Sequence, residues 1–448
     1  MHNADELLAM IKERRFTALR VAFTTLNPAD IAEFLSDDLP EKQLALVFRI
    51  IPKDRAADAF AYLEAETREI IINSITDREI ADLINNELYV DDAVDMLEEL
   101  PANLVKRVLA TANTETRELI NHFLQYPEDS AGSIMTDEFV DLKAYMTVRQ
   151  AFDHIRKTGE DKETIYTCYV IDANRTLQGV VNARDLMLSN DDVVLRDIMH
   201  VNLISATTTD DREYVSELCS RYDLLAVPIT DSERRLVGIV TVDDVIDVIE
   251  QEATEDFEVM AGMKPSEKTY FRTGVLDLAK NRILWLLLLM ISATLTGTVL
   301  IHFESAFTVN SLLVALMPML MSTGGNAGNQ SATLIIRGMA LGEVEVRDIL
   351  RVIWVELRVS LICGVLLSVV NFARVMLMYP NEMTVAMVVS VSLIATVVMA
   401  KVVGCVLPIA AKVCRLDPAI MAAPLITTLV DVTSLIIYFS VAKLLLGI

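Results

Sequence analysis

The sequence has few of the residues from which enzymes and disulfide-stabilised domains are built. Its five cysteines are scattered without a CxxC pair, which argues against a disulfide framework or a zinc site. The five histidines are equally dispersed. No Walker A loop, HExxH pair or nucleophile elbow occurs, and the opening MHNADELLAMIKERRF has no apolar core of signal-peptide type. Nothing in the sequence therefore favours an enzyme.

Positive charge is also scarce in most of the chain. Of the 39 Lys and Arg and 63 Asp and Glu, only 12 and 9 respectively lie in residues 271–448. Residues 1–270 therefore carry a net charge of −27, against +3 for the remainder. An acidic surface of this size repels nucleic acid and attracts cations. We therefore expect cation partners and no nucleic-acid partner.

Residues 1–127 predict an all-α domain of short helices stacked into a superhelix. Prolines suited to the first helical position recur every twelve residues, at Pro28, Pro40 and Pro52. Helices of about ten residues are marginal alone and must stack. Asp91 and Asp95 are four residues apart, so both carboxylates lie on one helical face. That face is open to two interpretations: a solvated acidic surface, or one that a divalent cation neutralises.

Residues 128–250 contain a tandem α/β repeat, with units near 128–190 and 191–250. The segment from Leu177 to Asp185 aligns with the segment from Leu236 to Asp244 at an offset of 59 residues. Each unit reads as two apolar strands and a helix opened by a polar residue. This pattern resembles a pair of cystathionine-β-synthase (CBS) domains, which implies a regulatory, dimerising module. The resemblance assigns adenine-nucleotide contacts to the following residues: Arg184, Asp185, Thr241 and Asp244. Asn182 stands where the family pattern has Ser or Thr.

Residues 251–282 predict an acidic connecting helix that continues from the second repeat. Eight carboxylates crowd residues 243–258, and two unit charges about 4 Å apart cost roughly 4 kcal/mol at an effective dielectric of 20. Oxygen ligands of this kind suit Mg²⁺ or Ca²⁺. A cation-responsive helix is therefore weighed against an ordinary solvated one.

Residues 283–448 predict an α-helical transmembrane domain with five spans. The apolar runs lie near 283–303, 311–336, 352–378, 385–407 and 419–445, and each is long enough to cross a bilayer of about 30 Å. Basic residues flank alternate loops, so the positive-inside rule places the acidic domains in the cytoplasm and the C-terminus outside an inner (plasma) membrane. Glu356, Arg358 and Lys401, within or near the spans, are assigned structural or interfacial roles.

The second span is interrupted by polar residues and glycine between Leu320 and Gly338. Glycine pairs are poor in a helix interior, at roughly 1 kcal/mol per Gly relative to Ala, and unwound backbone at membrane depth is tolerated only when buried or beside a wet cavity. With Asp431, an intramembrane carboxylate that shares a helical face with Thr427, the segment predicts an ion pathway. The alternative is close helix packing on small residues.

These features together are similar to the MgtE family of bacterial magnesium channels. The resemblance rests on GGNAGNQSAT, the acidic connector, the CBS pair, the YPEDSAG sequence at 126–132 and LVDVTSLIIY in the last span. It implies a homodimer in the lipid bilayer with a cytoplasmic magnesium sensor, in which the connector is a plug helix. It also implies these pore residues: Asp431, Thr427, Ala423, Gly325, Gly328, Asn329 and Thr333. Ala423 precedes Pro424 where some members have Asn, which favours a backbone role there.

The resemblance also assigns a set of sensor carboxylates: Asp91, Asp95, Asp211, Glu213, Asp223, Asp244, Asp247, Glu252, Glu255 and Asp256. The expected function is import of Mg²⁺, with cytosolic Mg²⁺ as feedback regulator and ATP as a further ligand of the CBS pair. High Mg²⁺ would bridge the acidic faces and close the pore. The alternatives are a carrier of Co²⁺ or Mn²⁺, and a non-conducting membrane sensor of magnesium.

Overall fold

The computed structural model describes residues 4–266, 270, 273–303, 310–421 and 423–446. The chain divides into two compact units, Met1–Glu250 and Gln251–Ile448.

The N-terminal part of the first unit is a stack of short helices, as the sequence predicts. The described residues contain α1 Ala4–Lys12, α2 Phe16–Thr25, α3 Pro28–Glu33, α4 Glu41–Phe48, α5 Lys53–Ala61, α6 Ala65–Ser74, α7 Asp77–Asn86, α8 Val90–Glu99, α9 Ala102–Thr111 and α10 Thr114–Phe123. Alternate helices pack together: α3 on α5, α4 on α6, α7 on α9 and α8 on α10. This order builds a superhelix around a continuous apolar core.

The prolines begin these helices in two different ways. Pro28 occupies the first turn of α3, and the Asn27 side chain accepts a hydrogen bond from Ala29 N. Pro40 and Pro52 instead lie one position earlier, as the capping residues of α4 and α5. The expectation of a first helical position is therefore wrong for these two, which lie in extended backbone outside the helix.

Each half of the repeated region is a three-stranded sheet with flanking helices. The strands are β1 Phe139–Leu142, β2 Thr164–Ile171, β3 Leu177–Asn182, β4 Ala206–Thr207, β5 Ala226–Thr230 and β6 Leu236–Thr241. The helices are α11 Val148–Thr158, α12 Ala183–Leu188, α13 Leu195–Ile198 and α14 Arg212–Tyr222. In each sheet the first two strands are parallel and the last two antiparallel. The offset of 59 residues is retained by β3 and β6.

The turns before β3 and β6 are also equivalent. Arg175 and Arg234 adopt left-handed backbone with φ of 64° and 63°. The two turns bond to each other, from Leu177 N to Arg234 O at 3.2 Å and from Leu236 N to Arg175 O at 2.9 Å. The two repeats therefore share hydrogen bonds at their centre.

A long acidic helix follows β6 without a break. This helix, α15 Val242–Met260, begins in the first unit and ends in the second. Its Val245 and Val248 are buried, whereas Ile249 and Phe257 are exposed. The predicted helical connector is therefore present, but its expected bounds of 251–282 are wrong: the helix starts within the second repeat and ends at Met260, and α16, at Val275–His302, already includes residues 275–282.

The second unit contains long helices at each predicted apolar run. They are α16 Val275–His302, α17 Ser311–Ala340, α18 Ile349–Met378, α19 Met383–Val413 and α20 Ala423–Leu446. Within the described residues, four of them are long and apolar enough to cross a membrane, and α17, with its polar stretch, is not among these four. Helix α19 is central, packing against α17, α18 and α20. Interhelical bonds include Tyr438 OH to the carbonyl of Leu313, at 2.9 Å.

The glycine segment of α17 is helical, so the expectation of unwound backbone is wrong. The helix runs without interruption from Ser311 to Ala340. A side chain at Gly404 of α19 would collide with the backbone of Gly328. A side chain at Gly324 would lie 2.7 Å from Thr396 Cγ2. The glycines therefore allow close helix packing, and this packing outweighs their low helix propensity.

Candidate functional site

Carboxylates from separate segments of the first unit form an acidic cluster. Its members are Asp91, Asp92, Asp95, Glu138, Glu163, Asp243 and Asp244. Asp91 and Asp244 lie in the first turns of α8 and α15, where a helix favours negative charge. Glu138 and Glu163 precede β1 and β2, and Glu163 N donates to Glu138 O at 2.9 Å. Asp91 interacts electrostatically with Asp92, Asp244 and Glu163. The N-terminal helices thus share one acidic site with the repeats.

Burial raises the pKa of several carboxyl groups in this cluster. The pKa of Glu138 rises to about 8 and that of Glu163 to about 7, because burial disfavours the ionised form and neighbouring carboxylates repel it. The same two causes raise the pKa of Asp91 well above its usual range. Around neutral pH the cluster therefore retains protons that a bound cation would displace.

In two further members of the acidic cluster, Asp95 and Asp244, a neighbouring group offsets part of the rise in pKa. Asp95 reaches solvent, yet the protein crowded around its carboxylate raises its pKa to about 7, against the opposing charge of Arg68. Burial raises the pKa of Asp244 to about 6, while a hydrogen bond of 2.7 Å from Thr241 Oγ1 lowers it in part. These compensations leave Asp244 more readily ionised than Glu138 or Glu163.

Three carboxylate oxygens in the cluster are buried without a hydrogen-bond partner: Asp91 Oδ1, Glu138 Oε2 and Glu163 Oε2. Buried acceptors of this kind are normally paired. Among the residues that the structure describes, no group of three or more His, Cys, Asp or Glu side chains is arranged to hold a metal ion. Mg²⁺ needs no such cage, because it keeps several waters and binds through one or two carboxylates. The cluster is chemically suited to a hydrated divalent cation.

Of the other expected sensor residues, Asp247 lies beside the cluster, one turn beyond Asp243 on α15, and the rest lie outside it. Asp211 caps α14 by accepting a hydrogen bond from Glu213 N at 2.8 Å, and Asp223 lies at the opposite end of the same helix. A helix of eleven residues is about 16 Å long, so these three residues do not share one ion. Burial and the charge of Asp243 raise the pKa of Asp247.

The remaining sensor candidates lie further along α15, within the second unit: Glu252, Glu255 and Asp256. Burial and the charges of Asp417 and Glu252 raise the pKa of Asp256, while Arg337 lowers it. A second acidic site thus includes Asp417, from the turn before α20.

Sequence reasoning did not single out Glu138 or Glu163. Neither lies in a helical repeat nor in an acidic run comparable to residues 243–258. Their proximity arises because parallel strands β1 and β2 begin at the same sheet edge. Only the pairing of these strands, which local sequence does not encode, could have revealed them.

The nucleotide candidates divide between the repeats. Asp185 Oδ2 lies 3.0 Å from His200 Nε2, and Arg184 precedes it in the first turn of α12. Thr241 and Asp244 bond to each other inside the acidic cluster. Because that cluster repels phosphate, the first repeat is electrostatically better suited to a nucleotide.

In the second unit, polar side chains form an exposed stripe along α17. Its members are Ser322, Asn326, Asn329, Gln330, Thr333 and Arg337, spaced so that they fall on one helical face. All are exposed except Asn329, which is half-buried. A polar stripe of this kind facing hydrocarbon would be costly. The face therefore needs water or another polar surface against it.

Asn329 connects this stripe to α20. Its Nδ2 donates to Thr427 Oγ1 at 3.4 Å, and its Oδ1 is buried without a partner. Gly325 lies against Thr427. Asp431, one turn further, is half-buried, and its side chain makes no ion pair or hydrogen bond with another described residue. Three of the expected pore residues thus lie in contact, and Asp431 follows Thr427 by one turn of α20.

The other three expected pore residues are placed less directly. Thr333 lies on the exposed stripe, about one turn beyond Asn329 along α17. Gly328 packs between α19 and α20. Ala423 is the first residue of α20.

This architecture defines a class: a helical unit with several apolar helices long enough to cross a membrane, on one chain with an acidic module of stacked helices and paired α/β repeats. Sequence comparison agrees with it. Residues 317–441 match the family model "Divalent cation transporter", 26–129 match "MgtE intracellular N domain", and 131–189 and 195–251 match the CBS domain.

Curated relatives identify the family. The chain is 36% identical to the magnesium transporter MgtE of Thermus thermophilus, over 99% of this chain and 98% of the relative. It is 33% identical to that of Bacillus subtilis, over 97% and 96%. This chain belongs to the MgtE family of magnesium transporters.

Solved structures agree for the soluble part. A structure of the soluble part of a magnesium transporter has 35% identity and a TM-score of 0.53, covering 56% of this chain and 98% of that one. The cytosolic domain of the Mg²⁺ channel MgtE in complex with ATP has 32% identity and a TM-score of 0.52, covering 55% and 100%.

Proposed function

We propose that this protein is a channel that imports Mg²⁺ and is closed by cytosolic Mg²⁺ bound to its acidic cluster. The observation that supports this most is the meeting of α8, α15 and the strand starts at carboxylates with buried, unpartnered oxygens. Without a cation these groups repel one another or hold protons. Cation binding would therefore favour the compact arrangement of the N-terminal helices and the repeats.

The proposed pathway runs along the polar stripe of α17 and past Asp431. The hydroxyl of Thr427 and the amide of Asn329 lie beside it, and both suit the hydration shell of Mg²⁺. One carboxylate binds a hydrated divalent ion weakly enough to release it. Two copies of Asp431, from two subunits, would balance the charge of one Mg²⁺.

A homodimer follows from the same stripe, because a second copy of this chain would cover polar groups that lipid cannot. All five helices of the second unit would then cross the bilayer. The flanking basic residues favour a cytoplasmic acidic unit and an external C-terminus.

For the sensor, we propose that Asp91, Asp95, Asp244 and Asp247 act with Glu138 and Glu163. The helix α15, with Glu252, Glu255 and Asp256, is proposed as the plug that carries the signal to the pore. Asp211, Glu213 and Asp223, at the two ends of α14, are proposed as outlying sites. ATP is proposed to bind the first repeat through Arg184 and Asp185, which suits a solved relative of the cytosolic domain in complex with ATP.

The test is uptake of Mg²⁺ into vesicles that contain the purified protein. We expect Asp431→Asn to abolish uptake without changing the thermal stability of the protein, because it removes the carboxylate of the proposed path. The matched control is Glu343→Gln, an exposed carboxylate between α17 and α18, which should leave uptake unchanged. Parallel uptake of Mn²⁺ and Co²⁺ measures selectivity.

Undiminished uptake by Asp431→Asn would remove this residue from the path. If uptake requires a gradient of a second solute, the protein is a coupled carrier and the channel proposal is wrong. If the parent protein transports no divalent cation, the remaining interpretation is a non-conducting membrane sensor of magnesium.

A further inference from the structure

A buried charge pair lies within the membrane helices, apart from Asp431. Lys401 of α19 and Glu356 of α18 are 5% and 8% exposed, and Lys401 Nζ lies 3.4 Å from Glu356 Oε2. Ionisable groups at membrane depth are costly and mark function more often than packing. The proposed pathway uses neither residue.

Ser331 of α17 completes this group. Its Oγ donates to Glu356 Oε2 at 2.6 Å and accepts from Lys401 Nζ at 3.1 Å. Ser331 is fully buried. We call Ser331, Glu356 and Lys401 the buried triad. It joins three helices at one point, and every contact in it is charged or made to a charge.

The triad lies on the side of α17 opposite the polar stripe. Ser331 is five residues from Asn326 and two from Thr333, so it projects roughly opposite both on a helix. Any rotation of α17 that breaks the triad therefore turns the stripe by the same angle.

The rest of the α17 interface is formed mainly by small and apolar residues. Gly324, Gly325 and Gly328 provide its close contacts with α19 and α20, and apolar side chains such as Leu320 and Ile336 are buried beside them. A buried polar group is best attested as a device that selects one register among several of similar packing. The triad can fill this role here.

We infer that the buried triad fixes the rotational register of α17 and so points the polar stripe towards the ion path. Ser331, Glu356 and Lys401 are thus positioning residues for transport and touch no ion. This inference rests on the proposed function, because it assumes that the stripe lines the path.

The test measures the register without relying on flux. Asn326→Cys and Thr333→Cys probe the stripe, and Leu334→Cys probes the exposed apolar side, each with Cys414→Ser to remove an exposed native thiol. The rate of reaction with a membrane-impermeant thiol reagent is measured in vesicles. The same probes are then placed in Ser331→Ala and in the double variant Glu356→Leu with Lys401→Met.

In the protein whose buried triad is unchanged, we expect the stripe cysteines to react faster than the cysteine at position 334. Ser331→Ala removes hydrogen bonds to charged groups, so it should shift the equilibrium between registers of α17 by about tenfold or more. The contrast, meaning the ratio of reaction rates between the stripe cysteines and the cysteine at position 334, should fall accordingly. The double variant replaces both charges by apolar groups, which is often neutral or stabilising for the fold. It should retain the parent's thermal stability yet lose the contrast and most of its Mg²⁺ uptake.

Unchanged contrast in Ser331→Ala would overturn the register role, whatever the double variant does. A double variant that is stable and transports normally would also overturn it. If instead the stripe cysteines are unreactive in the parent, the proposed path fails, which is a distinct result from failure of the triad.

Discussion

The raised pKa of Glu138 predicts that removing this carboxylate stabilises the protein in the absence of Mg²⁺. Its pKa moves from 4.5 to about 8. Because the pKa of Glu138 is higher in the folded state than in the unfolded state, the folded state binds the proton more tightly. The free energy of unfolding therefore falls as the pH rises from about 4.5 towards 8. At about 1.4 kcal/mol per pKa unit the whole effect is about 5 kcal/mol, which solvent screening of a half-buried group reduces to about 2 kcal/mol.

Glu138→Gln keeps the size of the side chain and removes the charge. In EDTA at about pH 8.5 the variant should therefore unfold at a temperature about 5 °C above the parent. At about pH 6 the gain should be much smaller, because the parent then keeps its proton. Saturating Mg²⁺ should stabilise the parent more than the variant, since only the parent retains the full negative charge.

The assay is scanning calorimetry of the intact protein in detergent, at both pH values, in EDTA and in Mg²⁺. Glu118→Gln is the control, because Glu118 is an exposed carboxylate of α10 outside the acidic cluster. A variant no more stable than the parent in EDTA at the higher pH would refute the reasoning. So would an equal gain at both pH values, since that would not arise from ionisation.

Two further predictions concern packing and nucleotide binding. Gly404→Ala should destabilise the membrane unit by about 3 kcal/mol in thermal melts, because the new methyl group meets the backbone of Gly328. The control is Gly297→Ala, where a methyl group would have nothing within 4 Å. It should leave the stability unchanged or raise it by up to about 1 kcal/mol. Arg184→Ala should weaken ATP binding to the intact protein about tenfold or more, by loss of a charged contact, whereas Thr241→Val should change it little in the same titration. Loss in Thr241→Val alone would place the nucleotide at the second repeat.

The repeats were predictable because their pattern is local. Two apolar strands and a helix opened by a polar residue recur 59 residues apart, and the structure has equivalent strands at β3 and β6, preceded by matching left-handed residues Arg175 and Arg234. The N-terminal helices were predictable for the same reason, since each carries its own apolar spacing and start signal.

The glycine segment shows where local reasoning fails. Propensity alone predicts a break near Gly324 and Gly325, but tertiary packing of α17 against α19 and α20 keeps the helix intact. The same segment also contains Ser331, whose partners Glu356 and Lys401 lie 25 and 70 residues away. Contacts over such separations depend on how the helices assemble.

The paired turns before β3 and β6 have a consequence for any attempt to isolate half of this region. Leu177 N and Leu236 N each bond to the other repeat. A single repeat produced alone would leave one of these donors and the adjacent strand edge unpaired. Such edges recruit another chain, so an isolated half is expected to self-associate in solution, rebuilding across two molecules the contact that the tandem arrangement makes within one.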